Sequence, residues 1–154
     1  MKLIPFVSVD DTPFTASPDD VLRRHGRPAE EGFNLVGLTE FDYGGVVFRF
    51  QSNGRLEEIT VWADEIELDG NAVAWADLQA HVLAHDASAF RRAGFLVSPL
   101  FGLAFVPGDA LADAPSDAPS DALGDALGVA LGVGAPWVTA LAAHCLDEWR
   151  ALSP

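Results

Sequence analysis

Phe41-Asp-Tyr-Gly-Gly-Val-Val-Phe-Arg-Phe-Gln51, then Ser52-Asn53-Gly54, then Arg55-Leu-Glu-Glu-Ile-Thr-Val-Trp62 is the stretch that decides the fold. Asn-Gly between two alternating apolar runs is the favoured two-residue hairpin turn, because both central positions need positive φ. Pairing Ser52 with Arg55 sets Phe48 opposite Ile59 and Val46 opposite Val61 on one face. Arg49 then meets Glu58, and Val47 meets Thr60, on the other. A slip of one residue would scatter the apolar set over both faces, so this register is specified. The first face is core. The second carries Tyr43, Val47, Arg49, Gln51, Leu56, Glu58, Thr60 and Trp62, a mixed face that an antiparallel sheet leaves to water or to a partner. Gly44-Gly45 reads as a bulge within the first strand.

Around this hairpin the chain alternates helical and extended patterns. Ser17-Pro-Asp-Asp-Val-Leu-Arg-Arg-His-Gly26 has a capping Ser17, Pro18 at the first helical position, acids in the first turn and a Gly26 stop, so it is a short helix. Ala63–Gly70 reads as a third strand closed by an Asp69-Gly70 turn. Residues 73–85 repeat apolar groups at Trp75, Leu78 and Val82, a helical spacing. Phe95–Val106 is apolar on both faces, as in a covered strand. Residues 136–152 place Trp137, Leu141, Cys145, Trp149 and Leu152 along one side of an amphipathic helix. The class expected is α+β, an antiparallel sheet with helices packed on one face, in a single domain spanning 1–154.

The chain has 154 residues, of which 49% are hydrophobic, one is Cys, and 23 acids against 9 bases give a net charge of -14. A lone Cys145 excludes an internal disulfide and a Cys-based zinc cluster, and fits a reducing compartment. The negative balance excludes nucleic acid and anionic membranes as partners and favours a basic one. The N-terminal apolar run is broken by Pro5 and lacks a signal-peptide pattern, and no stretch of about 20 apolar residues occurs, so a cytoplasmic location is expected. Asp109–Gly132 reads DALA-DAPS-DAPS-DALG-DALG-VALG, a tetrapeptide repeated six times. With Pro115 and Pro119 breaking any helix, the segment at about 109–134 is a low-complexity loop insertion. Five of the acids lie in it, so the excess elsewhere is smaller and more localised.

Candidate chemistry is sparse. His81 and His85 stand four apart on one helical face, the spacing zinc enzymes use, but the following Glu of that signature is replaced by Val82. His144 and Cys145, as helix neighbours, point about 100° apart, and Cys145 falls on the apolar stripe. Glu57 and Glu58, adjacent in a strand, face opposite sides. No nucleophile elbow and no phosphate loop occurs. These absences argue against an enzyme and call for no cofactor. Recognition remains, with Tyr43 and Trp62 as aromatic anchors and Glu58, Asp64, Glu65 and Glu67 as an acidic rim that steers a basic partner.

The order of capped helix, Gly26-Arg27-Pro28 stop, and hairpin with Asn53-Gly54 leading into Arg55-Leu-Glu-Glu-Ile59 resembles the helix-plus-hairpin repeat of beta-lactamase-inhibitor-like and outer-membrane-assembly-lipoprotein-like proteins. It is similar also to small immunity proteins of bacterial toxin loci. A second, degenerate copy is expected from the Trp75 helix through the Phe101 strand. The resemblance implies an open sheet face presented to a protein ligand, and so an immunity-type protein that occludes the active site of a cognate bacterial toxin. Two other readings stay open: a small enzyme or metal-binding domain using His81 and His85, and a structural subunit of a larger assembly.

Overall fold

A computed structural model describes residues 1–108 and 136–152; the low-complexity insertion expected at about 109–134 lies outside them. Along the chain run β1 (Lys2–Ile4), β2 (Ser8–Val9), β3 (Thr12–Pro13), α1 (Pro18–His25), β4 (Glu30–Phe33), β5 (Thr39–Asp42), β6 (Val46–Phe50), β7 (Leu56–Trp62), β8 (Glu65–Leu68), β9 (Asn71–Ala74), α2 (Trp75–His85), β10 (Phe90–Arg92), β11 (Phe95–Ser98), β12 (Leu103–Phe105), β13 (Trp137–Leu141) and α3 (Cys145–Ala151). The class is α+β, as the sequence pattern implies. No helix among the described residues is long and apolar enough to cross a membrane.

The larger sheet is antiparallel throughout, in the order β10-β11-β12-β13-β7-β6-β5-β4. Each half is a four-stranded meander preceded by a helix: α1 then β4 to β7, and α2 then β10 to β13. The two last strands, β7 and β13, pair at the centre with Thr60 opposite Thr139. The larger sheet is therefore built from two helix-plus-meander units joined at the antiparallel β7–β13 pair. The second copy is present in topology but extends past Phe101 to Leu141.

Alternation sorts the sheet's side chains onto two faces. Phe48, Phe50, Ile59, Leu96, Leu103, Phe105, Val138 and Ala140 belong to the main core, with Val21 of α1 and Leu78 and Val82 of α2. The smaller sheet, in the order β3-β2-β1-β8-β9, sends Leu3, Val9, Ile66, Leu68 and Val73 into the same core. At about 1.5–3 kcal/mol per fully buried large apolar side chain, this cluster dominates the folding energy. The other face collects Phe95, Val97, Ala104 and Leu141 under Cys145 and Trp149 of α3.

The Ser17 cap is a complete capping box: its hydroxyl accepts from the Asp20 amide, and Asp20 accepts from the Ser17 amide. Four expectations are corrected. Residues 137–141 form the central strand β13, not a helix; Val138 to Ala142 are all buried, so both faces are covered and β-branched Val138 and Thr139 suit a strand. Helix begins only at Cys145. Gly44-Gly45 is the turn of a β5–β6 hairpin, with Gly44 at φ 86° and the Tyr43 amide bonded to the Val46 carbonyl at 2.9 Å. The third strand, β8, leaves the hairpin and joins the smaller sheet, parallel to β1. Phe95–Val106 is two strands that turn back between Ser98 and Leu103.

The decisive hairpin keeps its register, with Val46 opposite Val61, Val47 opposite Thr60, Phe48 opposite Ile59 and Arg49 opposite Glu58. Its turn differs from expectation. The Gly54 amide bonds to the Gln51 carbonyl and the Gln51 amide to the Arg55 carbonyl, both at 2.8 Å, and only Gly54 takes positive φ. This is a three-residue loop of the type I plus αL kind. Phe50 consequently pairs with Leu56, and the register returns to its expected value by a shift that leaves Glu57 as the extra residue of a β-bulge. Leu56 thereby joins the core face with Phe50 instead of the polar face.

Candidate functional site

The polar face of the central strands is a ladder built by alternation across β6, β7 and β13. Arg49, only 1% exposed, donates from Nε to Glu40 Oε1 at 2.8 Å and from Nη1 to Thr60 Oγ1 at 2.6 Å. Thr60 and Thr139 share a hydroxyl hydrogen bond of 2.9 Å. Glu58 lies 3.7 Å from Arg49 Nη1 and accepts from Trp149 Nε1 at 3.0 Å. Burial pushes the Glu58 carboxyl up, against the opposing pull of Arg49 and of the Trp149 bond. Helix α3 is thus the lid of this part of the face, and Glu58 is a buried structural group, unable to serve as a steering charge.

The remaining proposed anchors and rim residues separate. Tyr43 lies on the core side, since the Gly44-Gly45 turn resets the alternation. Its hydroxyl donates to the Gly26 carbonyl at 2.8 Å, and its ring packs against His25 and Phe48. Desolvation and the neighbouring Glu31 push its hydroxyl pKa up. Trp62 stays on the polar face beyond the reach of α3, 49% exposed, with its ring edge-on to Trp137 at a centroid distance of 5.3 Å. Asp64 and Glu65 follow it on the surface, while Glu67 lies further along β8, 3.8 Å from Lys2 Nζ. Trp62, Asp64 and Glu65 are therefore the part of the set that remains close together and accessible, joined by Trp137. Trp137 was hidden from sequence reasoning by its assignment to a helix; strand pairing opposite Trp62 reveals it.

His81 and His85 do stack, with centroids 4.3 Å apart, and desolvation followed by the His85 charge holds the His81 pKa below its usual value. His85 Nδ1 is engaged by the His81 carbonyl at 2.8 Å, and His81 also faces Phe101. No carboxylate joins them in a three-ligand group among the described residues.

A different constellation arises at the bulge. Glu57 Oε2 lies 2.5 Å from His144 Nε2 and 2.9 Å from Cys145 Sγ, while Oε1 accepts from Arg55 Nε at 2.7 Å. The thiol also reaches the Glu57 carbonyl at 3.3 Å. Burial would raise the Glu57 carboxyl, but the bonds from Cys145, Arg55 and His144 outweigh it and hold the pKa below its ordinary value. The Cys145 thiol is pushed strongly up, first by burial and then by Glu57, so it is a hydrogen-bond donor here and a poor nucleophile. Helical geometry had separated His144 from Cys145. In the fold His144 is the residue just before α3, and both side chains turn to one oxygen.

Compared with known proteins, the chain matches no family model, no curated protein and no solved structure.

Proposed function

We propose that this chain is an acidic protein-binding module of the immunity type, acting in the cytoplasm to neutralise a bacterial toxin by covering the toxin's basic active site. The observation that carries the reading is the Trp62–Trp137 pair, an aromatic edge-to-face unit half open to solvent at the end of the two central strands, beside Asp64 and Glu65. Exposed tryptophans cost little conformational entropy to bury and are enriched among interface hot spots. The acids beside them, within a chain of net charge -14, speed the approach of a basic surface. Tyr43 and Glu58 serve this function by shaping the scaffold rather than by touching the partner.

Co-expression with the product of the adjacent open reading frame, scored for growth with and without this chain, tests the proposal. Trp62→Ala combined with Trp137→Ala is expected to abolish protection while the protein remains folded. Asp64→Lys with Glu65→Lys is expected to slow association and flatten its salt dependence. Full protection by both variants would refute the assignment.

The reading as a subunit of a larger assembly is favoured by one separate observation. Among the described residues, strand β4 is an edge of the larger sheet, and its last residue, Phe33 (81%), and the following Leu35 (72%) and Val36 (59%) are exposed. Unpaired strand edges with apolar tips invite pairing with another chain. A homo-oligomer by light scattering, dissociated by Phe33→Asp and Leu35→Asp, would place this reading first.

A further inference from the structure

We infer that Glu57, His144 and Cys145 form a binding site for a zinc-type divalent ion, which ties α3 to the central strand β7. A carboxylate oxygen, an imidazole nitrogen and a thiol sulfur lie within 4.8 Å of one another. Thiolate, imidazole and carboxylate together are the donor types that Zn²⁺ takes, and three protein ligands with a fourth position left to water is an established zinc arrangement. The bulge is what aims Glu57 at this point, and bulges are used to re-aim side chains at functional sites. Arg55, bonded to Oε1, orients the carboxylate so that Oε2 alone faces the other two donors, the outer support that metal ligands characteristically have. The His144 side chain is 36% exposed, which leaves an entry path, whereas Glu57 and Cys145 are buried.

The distances fit a site without its ion. Zinc bonds of about 2.0–2.3 Å in tetrahedral arrangement put oxygen and nitrogen about 3.4 Å apart, and oxygen and sulfur about 3.6 Å apart. The observed separations of 2.5 Å and 2.9 Å require each pair to open by less than about 1 Å, within side-chain rotation. Binding is an exchange of protons for the ion. The Sγ–H proton leaves to solvent, the Nε2–H proton that His144 gives to Glu57 is displaced so that the ring binds through Nε2 with a proton on Nδ1, and Glu57 Oε2 passes from accepting hydrogen bonds to coordinating.

Titration of the full chain with Co²⁺, under anaerobic and thiol-free conditions, tests the inference. One equivalent is expected to give a thiolate-to-cobalt charge-transfer band with tetrahedral visible bands, both bleached by one equivalent of Zn²⁺. Cys145→Ser should remove the charge-transfer band, and His144→Ala should weaken affinity by at least about tenfold, the loss that even an outer-shell partner produces. His81→Ala with His85→Ala should leave the spectrum unchanged. Absence of the band in the parent chain, or its loss in the His81/His85 variant, overturns the site. If Cys145→Ser does not fold, His144→Ala decides, because its ring is partly exposed: unchanged Co²⁺ affinity overturns the inference.

Discussion

Replacing Arg49 with Met tests the claim that the polar face is a closed structural network. Arg49 and Glu58 have side-chain exposures of 1% and 9%, so neither charge has water to fall back on. Arg49→Met keeps the side-chain length, removes the bonds to Glu40 and Thr60, and leaves Glu58 with Trp149 as its remaining partner. Removing one member of a buried ion pair costs about 3–5 kcal/mol, which for a protein of this size lowers Tm by about 8–16 °C. Glu58→Gln should cost less than about 1.5 kcal/mol, because Arg49 keeps Glu40 and the amide oxygen still accepts from Trp149. The double variant should then be less destabilised than the two single effects added, with a coupling of about 1.5–3 kcal/mol. The pH dependence has a definite sign. Glu58 is raised in the folded state, so its protonation favours folding at low pH and that advantage disappears as pH rises through the folded value. Arg49 is the chief group pulling it down. Its loss raises Glu58 further, and the penalty of Arg49→Met should shrink as pH falls from 7 towards the unfolded carboxyl value of about 4.3. Urea unfolding at pH 7 and pH 5, with m held constant, is the assay. A variant within about 1 kcal/mol of the parent at pH 7, or a penalty equal at both pH values, refutes the network.

Asp86 accepts from the Ser88 amide and hydroxyl, the Ser98 hydroxyl and the Leu100 amide, fastening the end of α2 to the β11–β12 turn. Burial raises its carboxyl, but these bonds more than offset it and the pKa is lowered, so its stabilisation is full above the unfolded carboxyl value and is lost as pH falls through the folded one. Asp86→Asn should therefore cost about 2–3 kcal/mol at pH 7 in chemical denaturation, the gap to the parent narrowing below about pH 4; a gap that widens in acid contradicts the assignment. Gly102 sits at φ 61°, and a Cβ there would meet the Phe6 ring at 2.8 Å. Gly102→Ala should cost about 2–4 kcal/mol by thermal unfolding from backbone strain and overpacking together, and a neutral result would mean that Phe6 is not seated there. Phe33→Ser, at an 81% exposed position, should change stability by less than about 0.5 kcal/mol, and a larger loss by calorimetry would show the β4–β5 tip to be covered in solution.

Much of the scaffold was legible because short-range chemistry dictates it. The capping box of α1 and the Asp69-Gly70 turn, whose residues both take positive φ, follow from local residue types. The α2 stripe of Leu78 and Val82 follows from helical periodicity. What failed was whatever depends on partners distant in sequence. Trp137–Leu141 keeps apolar groups at helical spacing, and only pairing with Leu56–Trp62 on one side and Leu103–Phe105 on the other makes it a strand. Tyr43 lies on the core face and not on the polar one because the Gly44-Gly45 turn inverts the alternation of everything before it. The acidic rim dispersed for a related reason: β8 crosses to pair with β1, and no local feature of Glu65–Leu68 announces that.

The candidate metal site has a more specific origin. Two routes give the same distant register between Val46–Arg49 and Glu58–Val61: a two-residue turn, or a three-residue turn followed by one bulged residue. Alternation beyond Arg49 cannot distinguish them. The residues next to the turn can. In the first route Glu57 would sit opposite Phe50, two residues before Ile59 and so on its face, placing a carboxylate in the core and Leu56 on the polar side. In the second Leu56 opposes Phe50 and enters the core, as observed. Burying Leu gains about 1.5–3 kcal/mol, and removing an unpaired carboxylate from an apolar cluster avoids a cost of several kcal/mol more. The bulge follows from that difference. It also releases Glu57 from the ladder's alternation and turns it to His144 and Cys145, so the same energetic choice that completes the core assembles the three donors at the start of α3.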